Sequence, residues 1–144
     1  MTEKEVKEKL NAYRIAYRDI QIVMRRIEEL DTLSTMTGNM APKEVSVISS
    51  PVLAAQFEDK IIDKAYLEKI VEKEIGKLEL IRQEVISMID MLSDKQQKML
   101  LDMRYLQRMS WKKIIRVMNY SERQIFRIHW QALHKIAKDV SKCQ

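Results

Sequence analysis

Val6, Leu10, Tyr13, Tyr17, Ile20, Met24 and Ile27 follow one another at spacings of 4, 3, 4, 3, 4 and 3, a rhythm that an α-helix turns into a single apolar stripe. About three heptads are close to the minimum for a coiled coil, and the two tyrosines in the seam suit a looser helical pairing better than a tight two-stranded zipper. A second series, Leu67, Val71, Leu78, Ile81, Val85, Met88 and Leu92, keeps a similar rhythm within residues 57–92 and is interrupted at Glu74. Together they predict an antiparallel hairpin that closes within one chain or between chains, since the same seams serve both arrangements. Two Gly and two Pro in 144 residues leave little else to build. The expected fold is all-α: a long N-terminal helical hairpin or coiled coil over residues 1–90, then a smaller unit over 91–144. Residues 31–56 gather Thr, Ser, Asn, Gly38, Pro42 and Pro51 and are expected to form a loop, partly ordered through Val45, Val47 and Ile48 and one place where a partner protein would dock.

The last third carries start and stop signals for three helices. Ser93-Asp94-Lys95-Gln96 reads as a capping box opening a helix with Met99, Leu100, Met103 and Leu106 on its apolar face. Ile114, Ile115 and Met118 form a second apolar face that breaks off at Asn119, a residue that tolerates left-handed backbone. Ser121 with Gln124 reads as another capping box, followed by Ile125, Ile128, Ala132 and Ile136 on one face. At 100° per residue, Arg123, Arg127, Trp130, His134 and Lys138 fall roughly opposite. Two short helices, a tight turn and a basic outer face make a helix-turn-helix. Glu122, Arg123, Gln124 and Arg127 are the candidate base readers, because the N-terminal turns of a recognition helix meet base edges. Ser110, Lys112, Lys113, Arg116, Ser121, His134 and Lys138 are the candidate phosphate contacts. Trp111 is expected to pack inside the motif, and Trp130 to be covered by residues outside it.

Charge divides the same way. Residues 91–144 hold twelve Lys or Arg against four Asp or Glu, a net charge of +8, while the first ninety residues hold fourteen against seventeen, a net of −3. A basic module beside a near-neutral one is the footprint expected when one part of a chain meets phosphate.

Leu92-Ser93, Leu100 to Leu106 with its Arg104-Tyr105 pair, Ser110-Trp111, Ile114-Ile115, Tyr120-Ser121, Ile125, Ile128 and Ala132-Leu133 resemble region four of the sigma factors, over roughly residues 91–137. The resemblance implies a helical domain that binds double-stranded promoter DNA, with Glu122, Arg123 and Arg127 at the positions that touch bases. The residue types differ there, so a different DNA sequence is expected. The whole chain resembles small phage-encoded regulators of the ArpU/RinA type, which activate late phage genes. That implies a transcriptional regulator in the cytoplasm of a bacterial host, with host RNA polymerase as a further partner. No counterpart of the sigma segment that melts the downstream promoter element is present.

A homodimer or higher homo-oligomer is expected through Val6, Leu10, Tyr13, Tyr17, Ile20, Met24 and Ile27, because pairing two modules makes the second DNA contact effectively intramolecular. Two other classes share these parts. A small-terminase-like packaging protein also joins a helix-turn-helix to oligomerising helices, but usually with the DNA module first. A region-four mimic that occupies RNA polymerase would not need base-reading side chains.

Catalysis is not expected. His129 and His134 are five apart, turned about 140° from each other on a helix. Gly38 and Gly76 stand alone, so there is no glycine-rich phosphate loop. Cys143 has no Cys or His neighbour at metal-ligand spacing, so neither an internal disulfide, a metal nor a cofactor is expected. No apolar run approaches the length of a membrane span, and the start Met1-Thr2-Glu3-Lys4-Glu5 is charged, so no membrane partner is expected.

Overall fold

The computed structural model describes the backbone of residues 1–38 and 51–144, and the side chains of residues 1–33 and 63–144. Among the described residues the chain is all-α, as its periodicity demands. The elements are α1 (Glu3–Gly38), α2 (Pro51–Asp90), α3 (Lys95–Leu101), a π-helical turn (Asp102–Leu106), α4 (Trp111–Met118) and α5 (Glu122–Lys142). None of these helices is long and apolar enough to cross a membrane.

The loop expected over 31–56 is shorter at both ends, because 31–38 finish α1 and 51–56 begin α2. Thr32 returns its hydroxyl to the Glu28 carbonyl at 2.9 Å, which keeps it inside the helix. Pro51 stands at the first helical position, where its missing N–H is not needed. The docking role suggested for Val45, Val47 and Ile48 lies outside the described residues.

The chain divides into two compact units, Met1–Tyr17 with Lys77–Gln144, and Arg18–Gly76. This differs from a boundary at residue 90, and the reason is visible in α5. Ala132, Leu133, Ile136 and Ala137 give that helix a second apolar face, which is covered by Val6, Leu10 and Tyr13 from α1 and by Val85, Met88, Ile89 and Leu92 from the end of α2 and beyond. Leu101 and Tyr105 complete this core. Lys9 pairs with Glu84 at 2.8 Å, and the Met1 ammonium donates to Ser141 Oγ at 3.1 Å. Val6, Leu10 and Tyr13 are therefore spent inside one chain. Their assignment to contacts between chains is corrected, with Tyr17, which packs half-buried against the same core.

A second cluster, Leu100, Met103, Ile114 and Ile125, is drawn wholly from residues 91–144. Met99, expected on this face, is exposed, and Leu101 is buried instead. In the unit Arg18–Gly76, Ile20 is buried, Ile27, Leu67 and Val71 are half-buried, and Met24 is exposed. Lys64 pairs with Asp31 there, tying α1 to α2. Met24, Ile27, Val71 and Ile75 line a shallow apolar groove edged by Glu28, Glu68 and Glu72.

Candidate nucleic-acid interface

Short local signals position this site. Asp94, not Ser93, caps α3, its carboxylate accepting from the N–H groups of Gln96 and Gln97 at 2.8 and 3.2 Å. Ser93 instead accepts from the Lys135 ammonium of α5 at 2.8 Å. The end of the π-helical turn is closed by Met109 N–H on the Met103 carbonyl, with Arg108 between them in left-handed backbone at φ 58°. Ser110 then caps α4, its hydroxyl accepting from Lys113 N–H at 3.2 Å.

Helix α4 ends at Asn119, in left-handed backbone at φ 55°, ψ 39°. Two residues later Ser121 caps α5, and Gln124 reciprocates: Ser121 Oγ accepts from Gln124 N–H, and Gln124 Oε1 accepts from Ser121 N–H, each at 3.2 Å. The turn between the helices is thus fixed at both ends by its own residues. Ile125, from the first turns of α5, drops into the cluster with Ile114, and Ile128, Tyr120, Trp111 and Ile115 pack around it.

With one side buried, α5 exposes Glu122, Arg123, Gln124 and Arg127 at its start and Lys138 farther on. Lys112, Lys113 and Arg116 are exposed along α4. All eight lie on the helix-turn-helix segment, and none of their Lys or Arg side chains is paired with a carboxylate among the described residues. Gln124 is the one candidate base reader already engaged, since its Oε1 serves the cap and only its Nε2 is left to donate outward. Ser110 and Ser121 are exposed caps whose oxygens are occupied by helix N–H groups.

His134, a candidate phosphate contact, is exposed and already has one partner. Its Nδ1 is 2.7 Å from Glu3 Oε1, and this hydrogen bond holds the Glu3 carboxyl below its usual range. A carboxylate thus engages Nδ1 of this exposed ring, and the contact ties α1 to α5. Trp130 is not covered by residues outside the motif: it is 58 % exposed, its ring lying against the His134 imidazole with centroids 5.3 Å apart and planes 14° from parallel.

Behind the basic face, His129 is buried. Its Nε2 and Tyr105 Oη share a hydrogen bond of 2.8 Å, and Trp111 meets the imidazole edge-on at 4.9 Å. Burial, with Lys7 and Arg104 nearby, pushes the His129 pKa down to about 4, and burial pushes Tyr105 up to about 12. Both are neutral near pH 7 and serve the core beneath α4 and α5.

Several residues that periodicity did not single out join the surface. Gln96 and Gln97, in the first turn of α3, and Tyr120 line a shallow polar groove with Gln124 and Arg127, where Gln96 Nε2 donates to Tyr120 Oη. Their only sequence signal was a pair of amides just after a cap. Arg104 lies over the Trp111 ring, 4.4 Å from its centroid, and donates from Nη1 to the Met109 carbonyl at 3.0 Å.

No curated protein and no solved structure matches the chain. One family model does, that of DUF1492, described as a protein of unknown function, and it spans residues 48–137. That stretch covers more than half of the chain and takes in α2 through most of α5, including every exposed base-reading candidate, so the chain belongs to the DUF1492 family.

Proposed function

We propose that this protein is a sequence-specific DNA-binding transcriptional regulator, an activator of phage or prophage late genes that works on promoter DNA in the cytoplasm of a bacterial host. The observation that carries the reading is α5 itself: a capped helix, anchored by Ile125, that leaves Arg123 and Arg127 exposed and without a carboxylate partner at its start. Guanidinium groups at that place in a helix-turn-helix suit bidentate contacts to guanine in the major groove. Lys112, Lys113 and Arg116 on α4 would meet flanking phosphates. Host RNA polymerase is the natural second partner of such an activator. A second copy would pack on the apolar groove of the Arg18–Gly76 unit, where Met24 and Ile75 are exposed.

Selection of bound sequences from random duplex DNA at near-physiological salt tests this. An enriched motif is expected, with two half-sites if the protein binds as a dimer. Arg127→Ala should relax the preference at one position, at a cost of about 1–3 kcal/mol for the cognate base. No enrichment would overturn the reading and favour a polymerase-directed mimic or a shape-reading packaging protein.

A further inference from the structure

Arg14, Arg104 and Arg108 belong to the unit formed by Met1–Tyr17 and Lys77–Gln144. Burial, and after it the positive charge of Arg14, holds the Arg104 guanidinium below its usual range. Arg108 places its guanidinium 3.4 Å from the centroid of Tyr17, one turn along α1 from Arg14. All three side chains are half-buried. Arg14 Nη1 donates to Asn11 Oδ1 at 3.3 Å, but its Nε is shut off from solvent with no partner. No carboxylate pairs with any of the three among the described residues. Like charges drawn partly out of water without a counter-ion raise the free energy of the fold. Arg108 adds a strained backbone, at φ 58°, where glycine or asparagine is the ordinary choice.

We propose that Arg14, Arg104 and Arg108 form an anion seat for a DNA phosphodiester, which carries the nucleic-acid interface from α4 onto the N-terminal helix. The proposal rests on the DNA-binding reading above. Two of the guanidinium groups already lie against aromatic rings, Arg104 on Trp111 and Arg108 on Tyr17, so their planes are set before any ligand arrives. A planar fork of N–H donors fits phosphate oxygens. Location selects the source of the phosphate: Arg104 grips the Met109 carbonyl and Trp111, the residues that lead into α4, whose first turn carries Lys112 and Lys113. An anion held there is continuous with the backbone that α4 would contact. Arg14 is outside the part of the chain that matches the family, so this contact belongs to the N-terminal helix of this chain.

The test uses the full chain and a duplex carrying the selected motif, with affinity measured across a salt series against matched and scrambled sequences. Arg14→Gln and Arg108→Asn remove charge, and asparagine tolerates the left-handed backbone at 108. Each is expected to weaken binding to both duplexes alike and to lower the slope of log affinity against log salt by about 1, with sequence preference unchanged. Arg14→Lys should recover most of that slope. Unchanged slopes in both charge-removing variants, beside a wild type that binds specifically, overturn the seat and leave the DNA reading intact. A loss of affinity at unchanged slope, accompanied by a lower melting temperature, assigns the arginines to the fold and also overturns it. A wild type that prefers no sequence and binds no duplex overturns both readings together.

Discussion

His129 is 6 % exposed, between Tyr105 and Trp111, and its cation is disfavoured first by burial and then by Lys7 and Arg104. Its pKa falls from 6.5 to about 4, so the folded chain holds fewer protons than the unfolded chain between those values. The group costs nothing above pH 6.5; below it, the unfolded state gains a proton that the folded state refuses, and stability drops until about pH 4. The full loss is on the order of 3 kcal/mol. Urea titrations at pH 7, 5.5 and 4.5 should show it, and His129→Gln should flatten the decline over that window while lowering stability at pH 7. A decline just as steep in the variant would mean that carboxylates such as Glu3 and Glu5 govern the acid limb instead. Trp130 and His134 show the limit of reading single residues from a helical wheel. Both fall on the outward arc, yet what His134 meets there is Glu3, a residue 131 positions away in the chain, which no periodicity encodes.

The elements were legible where their signals are local. The breaks at Asn119 and Ser121, the buried Ile125 and the reciprocal cap with Gln124 all depend on residues within four positions of one another, and each appears in the structure. Ser121→Ala removes the acceptor for Gln124 N–H and should cost about 1 kcal/mol. Because the cap fixes where α5 starts, the same change should also weaken specific DNA binding, read as reduced discrimination between the selected motif and a scrambled duplex; a stability loss with discrimination intact would show that the start of α5 is set by Ile125 packing alone. The misreadings came from equal local merit. Ser93 and Asp94 both suit a cap, and Lys135, distant in sequence, takes Ser93. Arg108 in left-handed backbone had no sequence signal, because the residue type argues against it and the compensating contact is Tyr17. Of the candidate interface, the exposed positions on α4 and α5 followed from periodicity, whereas the seating of Arg108 on Tyr17, 91 positions away in the chain, arises only through tertiary packing.

At the scale of the molecule, an N-terminal seam and a C-terminal motif look separable in sequence and are not separate in packing. The heptad rhythm correctly marks Val6, Leu10 and Tyr13 as buried, but a rhythm does not name its partner, and here the partner is the far face of α5. That face is apolar over Leu133, Ile136 and Ala137, so residues 91–144 alone would leave it in water, with only the Leu100, Met103, Ile114 and Ile125 cluster closed. Leu10→Ala, at a fully buried position, should therefore destabilise the unit that carries α4 and α5 by about 2–5 kcal/mol. Thermal unfolding followed by tryptophan fluorescence reports on this directly, since Trp111 and Trp130 both lie in the C-terminal part. A mutation in α1 that lowers the melting temperature seen by those tryptophans establishes one cooperative unit built from both ends of the chain. Met24→Asp, exposed in the other unit, is the matching control: it should leave that melting temperature within a few degrees of wild type while reducing the mass seen by light scattering if copies associate through the groove it lines. Should Leu10→Ala instead lower the mass and spare the tryptophan transition, the seam would belong between chains after all, and α5 would need another cover for its second apolar face.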